Sequence, residues 1–189
     1  MMSEKSKHTM EVDLVFKISE SVEQIKNYNV YKSSFVFDFS FWKDAFTKWI
    51  TCVIAEKGSK FYKTLEKNNF SLSFEIINDS EIEKLNKKWL NKSGSTDVLS
   101  IPIVDEDYDF EDLDFVELGD LFVSYEKALS QSLEQNHSFQ SEIIWLASHG
   151  FLHLLGWEHD NQRELMEMLD FQNYLISKLD VDNKRLVII

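Results

Sequence analysis

Three of the chain's five histidines fall in one run, Ser148-His149-Gly150-Phe151-Leu152-His153-Leu154-Leu155-Gly156-Trp157-Glu158-His159-Asp160. His149 and His153 are four residues apart, so on a helix their side chains lie over one another on one face, separated along the axis by roughly 6 Å. Two imidazoles so placed can reach one metal ion, a Zn–N bond being about 2.0–2.1 Å. Gly156 follows where the helix must stop, because glycine accepts the positive φ of a helix end. The turn it allows swings His159 back to offer a third nitrogen. Three protein ligands with one open position describe a catalytic zinc site, whereas structural sites are usually closed by four. The spacing predicts one zinc ion held by His149, His153 and His159. Two core histidines and a loop histidine aligned by chance would leave the glycine at the turn unexplained.

The pattern His-x3-His-x2-Gly-x2-His is shared with the metzincin peptidases, which carry Glu after the first His as general base. Here that position is Gly150, which cannot move a proton, so the metal geometry stands without the peptidase's base. No Gly-x-Ser-x-Gly elbow surrounds Ser148, and no phosphate-cradling glycine loop is present. Asp105-Glu106-Asp107-Tyr108-Asp109-Phe110 begins like a calcium loop, but Phe110 replaces the required Gly and Val116 the bidentate Glu. Residues 105–117 are therefore expected to form an exposed acidic loop that does not hold calcium.

The elements that position these residues follow from periodicity. Val12, Leu14, Phe16 and Ile18 alternate with mostly polar neighbours, as do Phe70, Leu72, Phe74 and Ile76, and each run predicts a half-buried strand. Val98–Ile103 and Leu118–Ser124 read as two more strands, with Pro102 placing the former near an edge. Ser40 is the expected cap of a helix carrying Trp42, Phe46, Trp49, Ile50, Val53 and Ile54, ended by Gly58. Ser80-Glu81-Ile82-Glu83 fits a capping box opening a helix that buries Ile82, Leu85 and Trp89. Residues 20–40 read as a loop with some local structure, residues 1–10 as a disordered tail, and about 125–135 as a helix. Ser138 caps the histidine helix, which is apolar nearly all round and therefore expected in the middle of the domain. A last helix spaces Leu165, Met168, Leu169, Gln172, Leu175 and Leu179.

A chain of 189 residues, 43% hydrophobic and 14% aromatic, is long enough for one well-cored domain over 1–189. Its single cysteine, Cys52, excludes an internal disulfide and suits a reducing compartment. No apolar signal segment opens the chain and no run reaches the length of a membrane span, so a cytoplasmic protein is expected. The net charge of −13 argues against broad nucleic-acid binding but leaves room for a local basic surface.

His149-Gly150-Phe151-Leu152-His153-Leu154-Leu155-Gly156-Trp157-Glu158-His159 resembles the signature of the YbeY family, His-Gly-x-Leu-His-Leu-x-Gly-Tyr-Asp-His. Thr96-Asp97-Val98-Leu99-Ser100-Ile101-Pro102 resembles that family's Thr-Asp-Val-Leu-Ser-Phe-Pro, and Leu118-Gly119-Asp120-Leu121-Phe122-Val123-Ser124 its Leu-Gly-Asp-Ile-x-Ile-Ser. Leu85-Asn86-Lys87-Lys88-Trp89 is similar to the helix before the first block. The resemblance covers most of the chain from about residue 60 to 179. It implies an α+β fold, a small mixed four-stranded sheet packed on the buried helix that carries the histidines. It also implies a zinc-dependent endoribonuclease specific for single strands, acting in 16S ribosomal RNA maturation and ribosome quality control, with ribosomal RNA and the small subunit as partners. The alternative is a metal-stabilised ribosome-assembly factor with little turnover.

Five positions depart from the family pattern. Leu90 stands where the family has an active-site Arg, Trp157-Glu158 replaces Tyr-Asp, and Ser93 and Ser95 replace Asp and Pro. Either Lys87, Lys88 or Lys92 substitutes for the arginine, as a point charge without its bidentate fork, or activity is reduced. Asp97 is the candidate general base, with a turn or cap role as the other reading of that residue.

Overall fold

Alternation builds the sheet. In the computed structural model, which describes residues 10–25, 27–55, 69–103 and 114–181, β1 (Val12–Ile18) and β2 (Asn69–Ile77) are the two predicted strands. They pair in parallel, with Leu14 opposite Leu72. The third and fourth strands are β3 (Val98–Pro102) and β4 (Phe115–Ser124). The order is β1-β2-β4-β3, with β2 and β4 parallel and β3 antiparallel to β4. The mixed four-stranded sheet is thus as expected, and Pro102 lies on an edge strand, where its missing N–H costs no ladder bond.

β4 begins three residues before the predicted Leu118, and its buried side chains show why. Val116 and Leu118 point into the core at even positions, Leu121 and Val123 at odd ones. A register shift sits between them: Ser71 pairs with Glu117 but Leu72 with Gly119. One extra residue in the strand reverses the parity, and a strict period of two loses the strand there. Residues 115–117 of the expected acidic loop therefore belong to β4, with Val116 fully buried. Residues 105–113 of that loop, the tail over 1–9 and Gly58 lie outside the described residues. Gly119 has φ +129°, and a Cβ built on it would lie 2.2 Å from the Ile101 carbonyl oxygen. Only glycine lets β3 approach β4 this closely.

The helices take both faces of the sheet. Residues 20–40 hold the short helices α1 (Glu20–Glu23) and α2 (Tyr28–Tyr31) and a 3-10 turn at Phe35–Phe37, the local structure expected there. α3 (Phe39–Ala55) buries Trp42, Ala45, Phe46, Trp49, Ile50 and Val53. Its start is held by Asp38, whose carboxylate accepts the Ser40 N–H at 2.8 Å, not by Ser40. α4 (Asp79–Leu90) has its capping box at Asn78 and Glu81, two residues before the expected one. Only Ile82 of its apolar residues is fully buried, joining Ile77 and Leu99 in a small cluster that Leu85 packs against. Trp89, expected inside, is 53% exposed, one turn beyond that cluster.

α5 (Tyr125–Glu134), α6 (Phe139–Leu154) and α7 (Gln162–Ile176) complete the described helices. Ser138 caps α6, accepting the Ser141 N–H, as its position predicts. α6 runs against β3 and β4 and between α5 and α7. Its Phe151 ring lies 5.7 Å from those of Phe46 and Trp49, joining the histidine helix to the aromatic core of α3. Each such ring pair adds about 0.5–1.5 kcal/mol beyond the area it buries. Among the described residues no helix is long and apolar enough to cross a membrane.

Candidate metal centre

The last turn of α6 places the histidines. Leu152 to Trp157 form a Schellman ending: the Trp157 N–H donates to the Leu152 carbonyl at 3.0 Å and the Gly156 N–H to the His153 carbonyl at 3.0 Å. Gly156 takes φ +75° to allow it. The chain then doubles back and brings His159 to the other two. Its ring centroid is 5.6 Å from that of His149 and 5.3 Å from that of His153. One ring nitrogen from each residue lies within 4.8 Å of the others. The structure thus gathers the three histidines that the sequence spacing singles out.

The hydrogen-bond network assigns the tautomers. His153 Nδ1 is 2.8 Å from the Trp157 carbonyl oxygen, so that nitrogen carries the proton and donates. His149 Nδ1 is 3.1 Å from Gln172 Oε1. Gln172 is fully buried on α7. Its amide NH2 donates to the Trp145 carbonyl at 2.9 Å and to Ser148 Oγ at 3.1 Å, which turns its oxygen to His149. Both imidazoles therefore donate through Nδ1 and present bare Nε2 atoms, which face each other at 3.2 Å. Two lone pairs at that distance repel unless a cation lies between them. Tetrahedral zinc with bonds of about 2.0–2.1 Å holds its nitrogens about 3.3 Å apart. Burial pushes both imidazoles below their usual range, His153 to about 4 with His149 beside it adding to the effect. Both stay neutral at pH 7, the form a metal ion requires. The donor set fits a divalent transition metal such as zinc.

His149 and His153 open onto a cleft of about 730 Å³ whose walls include Asp97, Leu90, Lys92 and Trp157. Asp97 stands at the entry to β3. One carboxylate oxygen accepts the Val98 N–H at 2.8 Å, the other the Gln131 amide at 3.0 Å. Its charge also helps to hold up the His149 imidazolium against burial. Leu90, the last residue of α4, is 46% exposed on the cleft wall. Of the three lysines that could replace the arginine, Lys92 lines this cleft, while Lys87 and Lys88 line the depression beside it.

Gly150 points the other way. A Cβ there would meet Leu121 Cδ1 at 2.3 Å, Val98 Cγ2 at 2.7 Å and Ser100 Oγ at 2.9 Å. The place where a metzincin carries its base is in this chain the contact of α6 with the sheet. Ser100 Oγ closes that contact by donating to the Gly150 carbonyl at 2.8 Å. Sequence reasoning takes Gln172 for one more member of the α7 stripe and misses its hold on His149. The signal available was a polar residue in an otherwise apolar row.

The comparison with known families agrees with this geometry. The model of the family described as Endoribonuclease YbeY matches residues 35–180. A protein named Endoribonuclease YbeY from Prochlorococcus marinus subsp. pastoris is 51% identical over 181 residues, covering 95% of this chain and 100% of that one. Another of the same name, from Prochlorococcus marinus strain MIT 9515, is 47% identical over 180 residues with the same coverage. The solution structure of TM1509 from Thermotoga maritima aligns with a TM-score of 0.48 at 20% identity, over 89% of this chain and 88% of that one. On the family match and these relatives, the chain belongs to the YbeY endoribonuclease family.

Proposed function

We propose that the protein is a zinc-dependent endoribonuclease that cuts single-stranded RNA, with 16S ribosomal RNA maturation and ribosome quality control in the cytoplasm as its setting. Ribosomal RNA is then its substrate and the small ribosomal subunit its partner. The observation that carries the reading is the pair of bare Nε2 atoms, 3.2 Å apart, opening onto the cleft. His149, His153 and His159 would hold one ion. When bound, that ion supplies Lewis acidity, polarising a phosphoryl oxygen and making a water acidic. Gln172 and the Trp157 carbonyl keep the two helix imidazoles in the tautomer that leaves Nε2 free. Asp97 is the candidate to take the attacking water's proton. With both its oxygens already accepting hydrogen bonds, it would do so through a remaining lone pair. Leu90 on the cleft wall supplies no charge to the phosphate, which makes slow, salt-sensitive cleavage the expected behaviour.

The engaged carboxylate of Asp97 is also what favours the second reading, a metal-stabilised ribosome-assembly factor with little turnover. End-labelled single-stranded RNA with added zinc, incubated with wild type and with His153→Ala, separates the two. Cleavage by wild type alone, together with one equivalent of zinc in wild type and its loss from the variant, is the expected result. RNA left equally intact by both proteins would leave the assembly factor standing.

A further inference from the structure

Acidic side chains outnumber basic ones by 33 to 20, yet four lysines, Lys84, Lys87, Lys88 and Lys92, fall within nine residues on and just beyond α4. All four are exposed. Elsewhere Lys48 pairs with Asp44 and Asp180, and Arg163 with Glu167. Among the described residues Lys87, Lys88 and Lys92 enter no ion pair. Lys84, Lys87 and Lys88 line a depression of about 540 Å³ with Glu83 and Ser93. Lys92 belongs to the metal cleft itself, so the basic surface reaches the site's own wall.

Between these lysines stands Trp89. Ile82 and Leu85 already fill the space between α4 and the sheet, and Trp89 stays 53% exposed. Lys88 Nζ lies 4.8 Å from its ring centroid, a cation held against an aromatic face. An indole ring beside unpaired ammonium groups suits a single strand, whose bases stack on the ring while its phosphates meet the lysines. An acidic peptide would use the charges and leave the ring idle.

We infer that the Lys84–Lys92 face of α4 is a platform for the single-stranded RNA that flanks the bond held in the cleft. Trp89 stacks a base, and Lys87, Lys88 and Lys92 contact phosphates. The inference rests on the reading of the cleft as an RNA-cleaving site. It gives the chain a way to hold its substrate outside the cleft, where Leu90 offers no fork to a phosphate.

The test uses the full zinc-loaded chain and a fluorescein-labelled 2′-O-methyl oligouridylate of about twelve nucleotides, within the site sizes of such platforms. Anisotropy is read at low and high salt, with zinc content and thermal unfolding as controls for the fold. Lys87→Ala/Lys88→Ala should weaken binding at least tenfold and flatten the log–log salt slope by about 1.4, since each phosphate contact on a single strand adds about 0.7. Trp89→Ala should weaken binding about tenfold and Trp89→Phe restore most of it. Variants that bind like wild type overturn the platform. If wild type still cuts RNA in a His153-dependent way, the nuclease reading survives that result. If wild type binds through these residues but cuts nothing, the platform stands and the nuclease reading falls.

Discussion

On the side of α6 that meets β3 and β4, position is set by what there is no room for; on the side that meets α7, by which atoms must be paired. The first side is a glycine seam: Gly150 of α6 lies against Leu121, Val98 and Ser100, and the two strands it meets are drawn together at Gly119, which lies against the Ile101 carbonyl, at distances no Cβ tolerates. The second side holds His149, Gln172, Ser148 and the Trp145 carbonyl in one hydrogen-bonded chain. The seam is sensitive to volume, with Ser100 Oγ and the Gly150 carbonyl as its hydrogen bond. The second side depends on pairing: the amide of the fully buried Gln172 is engaged through both its oxygen and its nitrogen. A helix gripped in these two ways can present imidazoles at a fixed spacing while keeping their proton-free atoms pointed outward.

The sharpest way to break the contrast is Gly119→Ala. It adds a methyl 2.2 Å from a backbone oxygen and demands φ +129° of a residue with a Cβ. Strain and overlap together should cost about 3 kcal/mol or more in urea denaturation. A loss below about 1 kcal/mol would show that the seam gives way and that volume does not rule it. Next comes Gln172→Leu, similar in size but with no acceptor for His149. Zinc affinity, read by competition with a chelating dye, should fall about 10–100-fold; unchanged affinity would mean that something else orients the ring.

The smallest effect tests the hydrogen-bonded junction of Glu81 with Ser19 and Ser21. Burial raises the Glu81 carboxyl, but hydrogen bonds from Ser21, the Asn78 N–H and Ser19 outweigh it and hold the group below its ordinary 4.5. A carboxylate depressed in the folded state stabilises above the unfolded value, and that stability drains away as pH falls through the folded one. Screened by solvent, it should be worth less than about 1 kcal/mol at pH 7. Glu81→Gln should lose that much there, and its gap to wild type should close below pH 4.5. A gap that persists in acid would show that the charge is not what Glu81 contributes.

What could be read from the sequence was local. The three histidines and the Gly156 turn lie within eleven residues, and helical spacing brings them together without tertiary information. Strands β1 and β2 were legible because one buried face forces a period of two. Periodicity starts β4 too late because the bulge breaks that period at Gly119. The α4 cap is ambiguous in sequence because Asn78-x-x-Glu81 and Ser80-x-x-Glu83 satisfy the same pattern, and only the fold chooses. Trp89 reads as buried because helical spacing cannot say where the sheet ends beneath the helix. The tautomers of His149 and His153 had no local signal at all, since Gln172 arrives from another helix.

The two margins of the sheet bear on how the molecule behaves at high concentration. A free strand edge is a template on which a second copy can add its own strand. β3, one margin, is five residues long and ends in Pro102, which has no N–H to offer a newcomer. β1, the other, carries Asp13 and Lys17 at exposed positions along its run. Short, proline-ended and charged margins are poor seeds for sheet-to-sheet growth, and a formal charge of −13 keeps copies apart before such contacts form. The fold that opens a cleft beside an edge strand thereby also protects that edge from aggregation.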